Sequence, residues 1–303
     1  MCRYFFKAVV LLTLGVLAGC PSLPTNETIS STGQVSAPPP SDAIPWTTAQ
    51  SFASLEAAGP ATGTANVNLT YSSGGALAAA AITPPSGPVI TYSNFSIGGG
   101  AIQKVSASID PAADGSNNVA LLANPTKSGW NYQSFGTWAN GFAAGFMGNS
   151  SSGNFGSVTY GSATTVPQLS AVHAVGGIAT YTGLSTGMYY DGTNHAMTSS
   201  NISLVANFGA NTLNFTTSNT QGQNQGGTYA PLSFEISTTT PAVSFTSNNI
   251  DLTIGTTNSA GLSGTARVIF YGPNAEEVGG RFTMTSMTSS GTSTYSGAFG
   301  GKK

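Results

Sequence analysis

Few side chains in this sequence could do chemistry. Its 303 residues hold ten acids, eight Lys and Arg, two histidines and two cysteines. His173 and His195 share no metal spacing: there is no H-E-x-x-H pattern and no cysteine beside either. His195 follows Tyr189-Tyr190-Asp191-Gly192-Thr193-Asn194, which reads as a loop beyond a strand. A histidine can hold heme iron axially, so His195 and His173 are the two candidate heme ligands; the competing reading is a pair of solvated loop histidines. Gly183-Leu184-Ser185-Thr186-Gly187 matches the G-x-S-x-G pattern of a nucleophile elbow, a motif that needs a strand-turn-helix setting. Both of its flanks read as strand, and a chain with 39 glycines matches such a pattern easily by chance. Glu276 and Glu277 are neighbours, and neighbours do not face one point on a helix or a strand. They read as structural, through an ion pair with Arg281 or by capping backbone amides. No acid, base and nucleophile converge. The sequence predicts neither an enzyme nor a metal site.

Cys20 carries the strongest chemical signal. Arg3 and Lys7 form a positive n-region, Ala8 to Val16 an apolar h-region, and Ala18 and Gly19 supply small residues before it. The apolar run is too short to span a membrane. Leu17-Ala18-Gly19-Cys20 resembles the lipobox of bacterial lipoproteins. The resemblance implies that residues 1–19 are a signal peptide, that Cys20 becomes the first residue, and that it is acylated by diacylglyceryl and palmitate-type chains. Several acyl chains hold a protein firmly where one holds it marginally. Pro21 stands where an aspartate would mark inner-membrane retention in enteric bacteria, which favours the outer membrane. With Cys2 removed and Cys20 acylated, no thiol remains to pair, so the body must stand without disulfides.

The elements that would position these residues are strands. Only 6% of residues are charged and glycine is abundant, which suits short strands and tight turns rather than helices. Loss of Arg3 and Lys7 takes the formal net charge from −2 to −4. No basic patch is left for nucleic acid. Residues 20–45, with Pro38-Pro39-Pro40 and few large apolar residues, read as a tether. Residues 46–125 read as a smaller, β-rich, handle-like region, with strands at Asn66–Tyr71, Val89–Ile97 and Ile102–Ile109. Ala76 to Ala81 has helix propensity. From 126 to 303 the pattern sharpens. Trp130, Tyr132, Ser134, Gly136 and Trp138 share one face, and Ile178–Tyr190 is a long strand. Ile202, Leu204, Ala206 and Phe208 alternate with polar positions, and Gly209-Ala210 predicts a two-residue type II′ turn into Leu213 and Phe215. Asn249–Ile254, Ser263–Tyr271, Gly280–Met287 and Thr294–Phe299 follow. About eight strands suffice to close a barrel filled by side chains.

Four segments then resemble a known family. Phe270-Tyr271-Gly272-Pro273-Asn274-Ala275-Glu276-Glu277-Val278-Gly279-Gly280-Arg281-Phe282, with Gly297-Ala298-Phe299-Gly300-Gly301-Lys302-Lys303 at the end, resembles the C-terminal hallmark of the transferrin-binding protein B-like β-barrel lipoproteins. Tyr132-Gln133-Ser134-Phe135-Gly136-Thr137-Trp138 is similar to the strand that opens that barrel, and Asn201 to Gly209 to its central hairpin. The resemblance covers roughly residues 125 to 303. It implies an all-β chain: an eight-stranded antiparallel β-barrel at the C-terminus beside a handle-like β region, displayed on a Gram-negative outer membrane. Relatives bind transferrin, heme or complement regulators; the transferrin binder has two such lobes, and this chain has length for one. Within the hallmark, the sequence predicts a turn at Gly272-Pro273-Asn274, one helical turn over Ala275–Val278, and a sharp reversal at Gly279-Gly280.

The expected function is a lipid-anchored, cell-surface monomer that binds a host or environmental ligand, a protein or heme, in iron acquisition. The alternative is a structural envelope lipoprotein with no small ligand. Trp130, Trp138, Tyr189, Tyr190 and Tyr271 are the aromatic contact candidates.

Overall fold

The computed structural model describes residues 50–58, 63–71, 77–83, 89–92, 94–95, 102–107, 116–143, 148–149, 154–190, 194–223, 229–232, 234–257, 261–288 and 291–303. The expected signal peptide, Cys20 and the expected tether lie outside these residues. Among the described residues, nineteen strands and two helices are formed. In chain order they are β1 (Gln50–Ala58), β2 (Gly63–Tyr71), β3 (Leu77–Thr83), β4 (Ile90–Tyr92), β5 (Asn94–Phe95), β6 (Ile102–Ala107), β7 (Ser116–Ala123), α1 (Pro125–Ser128), β8 (Gln133–Ala143), β9 (Gly148–Asn149), β10 (Asn154–Gly161), α2 (Val166–Val175), β11 (Ile178–Tyr190), β12 (Asn194–Asn207), β13 (Thr212–Gln223), β14 (Tyr229–Pro231), β15 (Ile236–Thr240), β16 (Ile250–Thr256), β17 (Ser263–Tyr271), β18 (Glu277–Thr288) and β19 (Gly291–Lys302).

Eight of these strands close a ring. β11, β12, β13, β15, β16, β17, β18 and β19 pair in that order, every pair antiparallel, and β19 returns to β11. The apolar alternation dictates the closure, since one face of each strand must leave water. Ile202, Leu204 and Ala206 on β12, Leu213 and Phe215 on β13, Ile250, Leu252 and Ile254 on β16, and Ala266, Val268 and Phe270 on β17 all point inward and are buried. Aromatic rings fill the centre: Phe215 lies 4.4 Å from Phe299, and Phe282 5.0 Å from Tyr295, centroid to centroid.

The ring has one thin seam. β13 and β15 share a single ladder pair, Thr216 opposite Ser237. Threonines supply what the ladder lacks: Thr238 Oγ1 accepts from Phe215 N (2.6 Å) and donates to Phe215 O (3.1 Å), and Thr217 Oγ1 accepts from Ile236 N (2.7 Å). Glu235 reinforces the same line, accepting from Thr217 Oγ1 (2.8 Å), Thr220 N (2.9 Å) and Thr220 Oγ1 (2.5 Å).

Two short strands, β9 and β14, extend the ring's sheet by pairing with β12 and β13, and the remaining nine form a second sheet, ordered β4-β3-β2-β1-β10-β8-β7-β6-β5. Its two edges, β4 and β5, flank Ser93 in the chain. One stretch of chain therefore pairs with β3 on one side and β6 on the other, and the sheet curls round to meet itself, which leaves no long edge for foreign strands. Strand membership thus departs from the expected division at residue 126: β8 and β10 belong to this sheet. The strand beginning near Tyr132 does not open the barrel, which starts at Ile178. β8 is buried on both faces, so its pattern shows a strand but not its partners.

Four local expectations are corrected. In the Ala76–Ala81 run, Leu77 to Ala81 are part of β3, because pairing with β2 and β4 overrides alanine's helix propensity. The β12–β13 connection has four residues, Phe208 to Asn211, and its left-handed position is Asn211 (φ 54°) rather than Gly209; Asn207 Oδ1 braces it by accepting from Ala210 N (2.9 Å). Ala275–Val278 makes no helical turn, for β18 begins at Glu277. Gly279 and Gly280 lie inside β18 and reverse nothing. A Cβ at Gly280 would strike the Arg267 carbonyl and the Phe299 ring, so that glycine makes room for the core.

Candidate functional site

The hallmark residues gather at one end of the barrel, where they fasten it to the nine-stranded sheet. The carboxylate of Glu277 accepts from the backbone N–H of Asn131 (2.6 Å) and Tyr132 (3.1 Å). Capping backbone amides is thus the role the structure gives it. Burial pushes this carboxyl up to about 7, while the amides of Asn131, Tyr132 and Gln133 and the charge of Lys302 pull it down. Lys302 Nζ donates to Gly129 O (3.2 Å), and Ser162 N donates to Tyr132 O (2.8 Å). Glu276 turns the other way, accepting from Asn274 N and Nδ2 (both 2.9 Å) and bracing the hairpin turn. The two acids therefore share no reacting point.

Packing extends this contact. β8 and β10 lie across β11, β18 and β19, with Thr137 Oγ1 2.9 Å from Thr186 Oγ1 and Thr159 Oγ1 3.0 Å from the Tyr271 hydroxyl. Burial pushes that hydroxyl up to about 12. Leu121, Ala139 and Phe155 pack with Met188 and Met197; Ala123, Trp130 and Phe135 pack with Ala298. Gly300 permits the approach, since a Cβ there would lie 2.5–2.6 Å from the Gln133 amide and the Phe135 ring.

The structure does not bring the two histidines together. His173 sits on α2 rather than in a loop. Its Nε2 is 2.9 Å from Asn211 Oδ1, and its ring is 5.7 Å from Phe245. His195 lies on β12, opposite Tyr190 and Gly148. Ile178, just after α2, and Tyr190, the partner of His195, are the two ends of the thirteen-residue β11, and a strand of that length spans about 40 Å. One heme could not take both as axial ligands. Ser185 of the G-x-S-x-G match is fully buried in the middle of β11, opposite Ser200 and Phe299. It sits on no turn.

Of the aromatic candidates, Trp130, Trp138 and Tyr271 are buried and serve the core, while Tyr189 packs half-buried on Phe234 and Tyr295. The barrel interior is likewise filled by side chains. Hollows lie outside it. A groove of about 490 Å³ beside α2 is lined by Val172, Val175, Ile178, Phe208, Asn274 and Lys303, among others. On the outer wall, Arg267 clasps Asp251 through Nε (2.8 Å) and Nη2 (3.0 Å), with Arg281 opposite Arg267 in the ladder. The Arg267 hydrogen bond holds the Asp251 carboxyl below its ordinary value.

Sequence reasoning missed α2, although its signals are present. Thr165 and Gln168 make a capping box, with Thr165 N donating to Gln168 Oε1 (2.8 Å), and Pro167 and Gly176 bracket the helix. It also missed Asn248. That buried side chain accepts from Phe270 N (2.8 Å) and donates to the carbonyls of Thr164 (2.6 Å) and Phe270 (2.9 Å), closing the α2 end of the ring.

The family model described as C-lobe and N-lobe beta barrels of Tf-binding protein B matches residues 167–303. Residues 167–303 form a transferrin-binding protein B-like barrel. This match runs from α2 through all eight ring strands of the transferrin-binding protein B-like barrel. Similar solved structures include a double mutant of the vaccine antigen transferrin binding protein B from Haemophilus parasuis Hp5, at 14% identity and a TM-score of 0.38, covering 78% of this chain and 53% of that one. Isotype 1 transferrin binding protein B from serogroup B Neisseria meningitidis is similar at 17% identity and a TM-score of 0.39, covering 79% of this chain and 51% of that one. The chain spans about half the length of these solved proteins. No curated protein sequence matches it.

Proposed function

We propose that this chain is an outer-membrane lipoprotein, anchored through acylated Cys20, that displays a transferrin-binding protein B-like barrel at the cell surface and binds a host or environmental protein ligand there. The observation that carries the reading is the family match over residues 167–303. The lipobox-like Leu17-Ala18-Gly19-Cys20 supports the anchor. The side-chain-filled ring supports a ligand held on the outside, by surfaces rather than in the lumen. Iron acquisition is the process in which such a receptor would act, and transferrin is the first protein to try.

The test has two parts. Protease shaving of intact cells should remove the protein. The purified acylated protein should then bind immobilised iron-loaded transferrin, or capture another host protein from serum. Full protection from protease in intact cells would retire the host-ligand reading and leave a structural envelope role. Heme is a second ligand to try, for which His173 and His195 act separately. A Soret shift abolished by His195→Ala or by His173→Ala alone would assign the ligand.

A further inference from the structure

The large apolar side chains that stand exposed among the described residues gather toward one end of the molecule. Val166 and Val175 (47% and 88% exposed) lie at the two ends of α2, and Ile178 (68%) opens β11. Val89 (54%) precedes β4, whose ladder runs from Ile90 through Ile82 and Val67 to Phe52, near the start of β1. β1 runs antiparallel to β10, with Ala57 opposite Gly156 and Ala58 opposite Phe155. Its first residue, Gln50, therefore lies toward Gly161, from which the chain passes into α2. The tether joins the body at the end that carries the exposed apolar residues.

Single exposed apolar residues are ordinary. A group at one end, three of them close to α2 and two lining its groove, marks a contact surface. α2 has apolar residues on opposite sides: Leu169 is fully buried beneath it, whereas Val175 faces solvent. Lys302 and Lys303, both exposed, stand at the same end, and Lys303 lines the groove. Apolar residues with a basic rim suit the boundary between acyl chains and anionic headgroups.

We propose that the α2 end of the body is its bilayer-facing end. Val175 and Ile178 enter the headgroup region of the phospholipid surface to which Cys20 is tied, and Lys302 and Lys303 meet lipid phosphates. The proposal rests on the lipoprotein reading above. Residues 21–49 reach roughly 100 Å at full extension, so the tether by itself fixes no orientation. It does hold the body at high local concentration near lipid, where a weak contact is enough to set the orientation. The far ends of β11 and β18, at Tyr190 and Thr288, then point away from the membrane.

Acylated full-length protein carrying a nitroxide through Val175→Cys, or at the opposite end through Thr285→Cys, would be reconstituted into phosphatidylethanolamine and phosphatidylglycerol vesicles. With Cys20 blocked by acylation, the introduced thiol is the sole site of labelling. The label at position 175 should be roughly threefold or more less accessible to a water-soluble nickel chelate than the label at position 285. Equal access on a protein whose mass shows acylated Cys20 overturns the orientation and leaves the lipoprotein reading standing. Shielding at position 175 that persists in a Cys20→Ser protein without vesicles overturns it in favour of contact between copies. A mass showing no acyl group on Cys20 removes the lipoprotein reading, and the proposal with it.

Discussion

At the scale of single residues, Glu277 holds the most testable chemistry. Its carboxyl is raised by burial from 4.5 to about 7 in the folded protein, so the folded state takes up a proton that the unfolded state releases. Stability from this group is fully present below about pH 4.5 and is lost as pH rises through 7, a change on the order of 3 kcal/mol. Urea melts should therefore show a midpoint that declines from pH 5 to pH 8. Glu277→Gln should flatten that decline and be the more stable protein at pH 8; a parallel decline in both would refute the assignment. Asn248 offers a second residue test. Asn248→Ala strands the Phe270 N–H in a dry interior, which should cost about 1–3 kcal/mol, read as a lower melting temperature.

At the scale of elements, the ring is only as sound as its β13–β15 seam. Thr238→Val keeps shape but removes both hydrogen bonds to Phe215, beside a single ladder pair. Faster amide exchange is expected in β13 and β15, with β17 and β18 unchanged and a loss of about 1–2 kcal/mol overall. Uniformly faster exchange would mean that the seam is not a separate weak point. The β8–β19 contact has the opposite character, since it depends on the absence of a side chain. Gly300→Val would wedge Gln133 and Phe135 away from the barrel. Overpacking of this kind costs about 1–3 kcal/mol, and a melt that separated into two transitions would trace the loss to the junction. The strands themselves were largely legible. Ile178–Tyr190 and Ser263–Tyr271 are strands over the same bounds in sequence and structure, because their flanking glycines, turns and alternation are local signals. The Ala76–Ala81 stretch was not, because alanine carries no face and its state follows from its neighbours.

At the scale of the whole molecule, two curled sheets share buried clusters in which residues far apart in the chain mingle, such as Leu121 with Met188 and Phe135 with Ala298. The unmodified body should melt in one transition. Dithiothreitol should leave the melting temperature unchanged, since the two cysteines, Cys2 and Cys20, both precede the described body; a reductant-sensitive melt would reveal an unforeseen disulfide. The same architecture places the ends of the ring about 30 Å apart along its axis, the length of the tilted strand β11 projected on it, with α2, the hallmark turn and the start of β1 at one end and His195 at the other. Chemistry that needs both ends is thereby excluded from a single site.

What the amino-acid sequence determined alone was the strand content, the inward alternation of the barrel strands, and the peculiarity of the Gly272–Phe282 and Gly297–Lys303 segments. These are local properties, written in period-two patterning and in glycine placement. Only the tertiary structure decided which sheet β8 and β10 join, that Glu277 caps amides some 145 positions away in the chain, that Gly280 and Gly300 make room rather than turns, and that His173 and His195 stand apart. Each of these depends on which strand lies against which. A strand buried on both faces, or a glycine lying under a side chain from another strand, looks the same in sequence whatever its neighbour is.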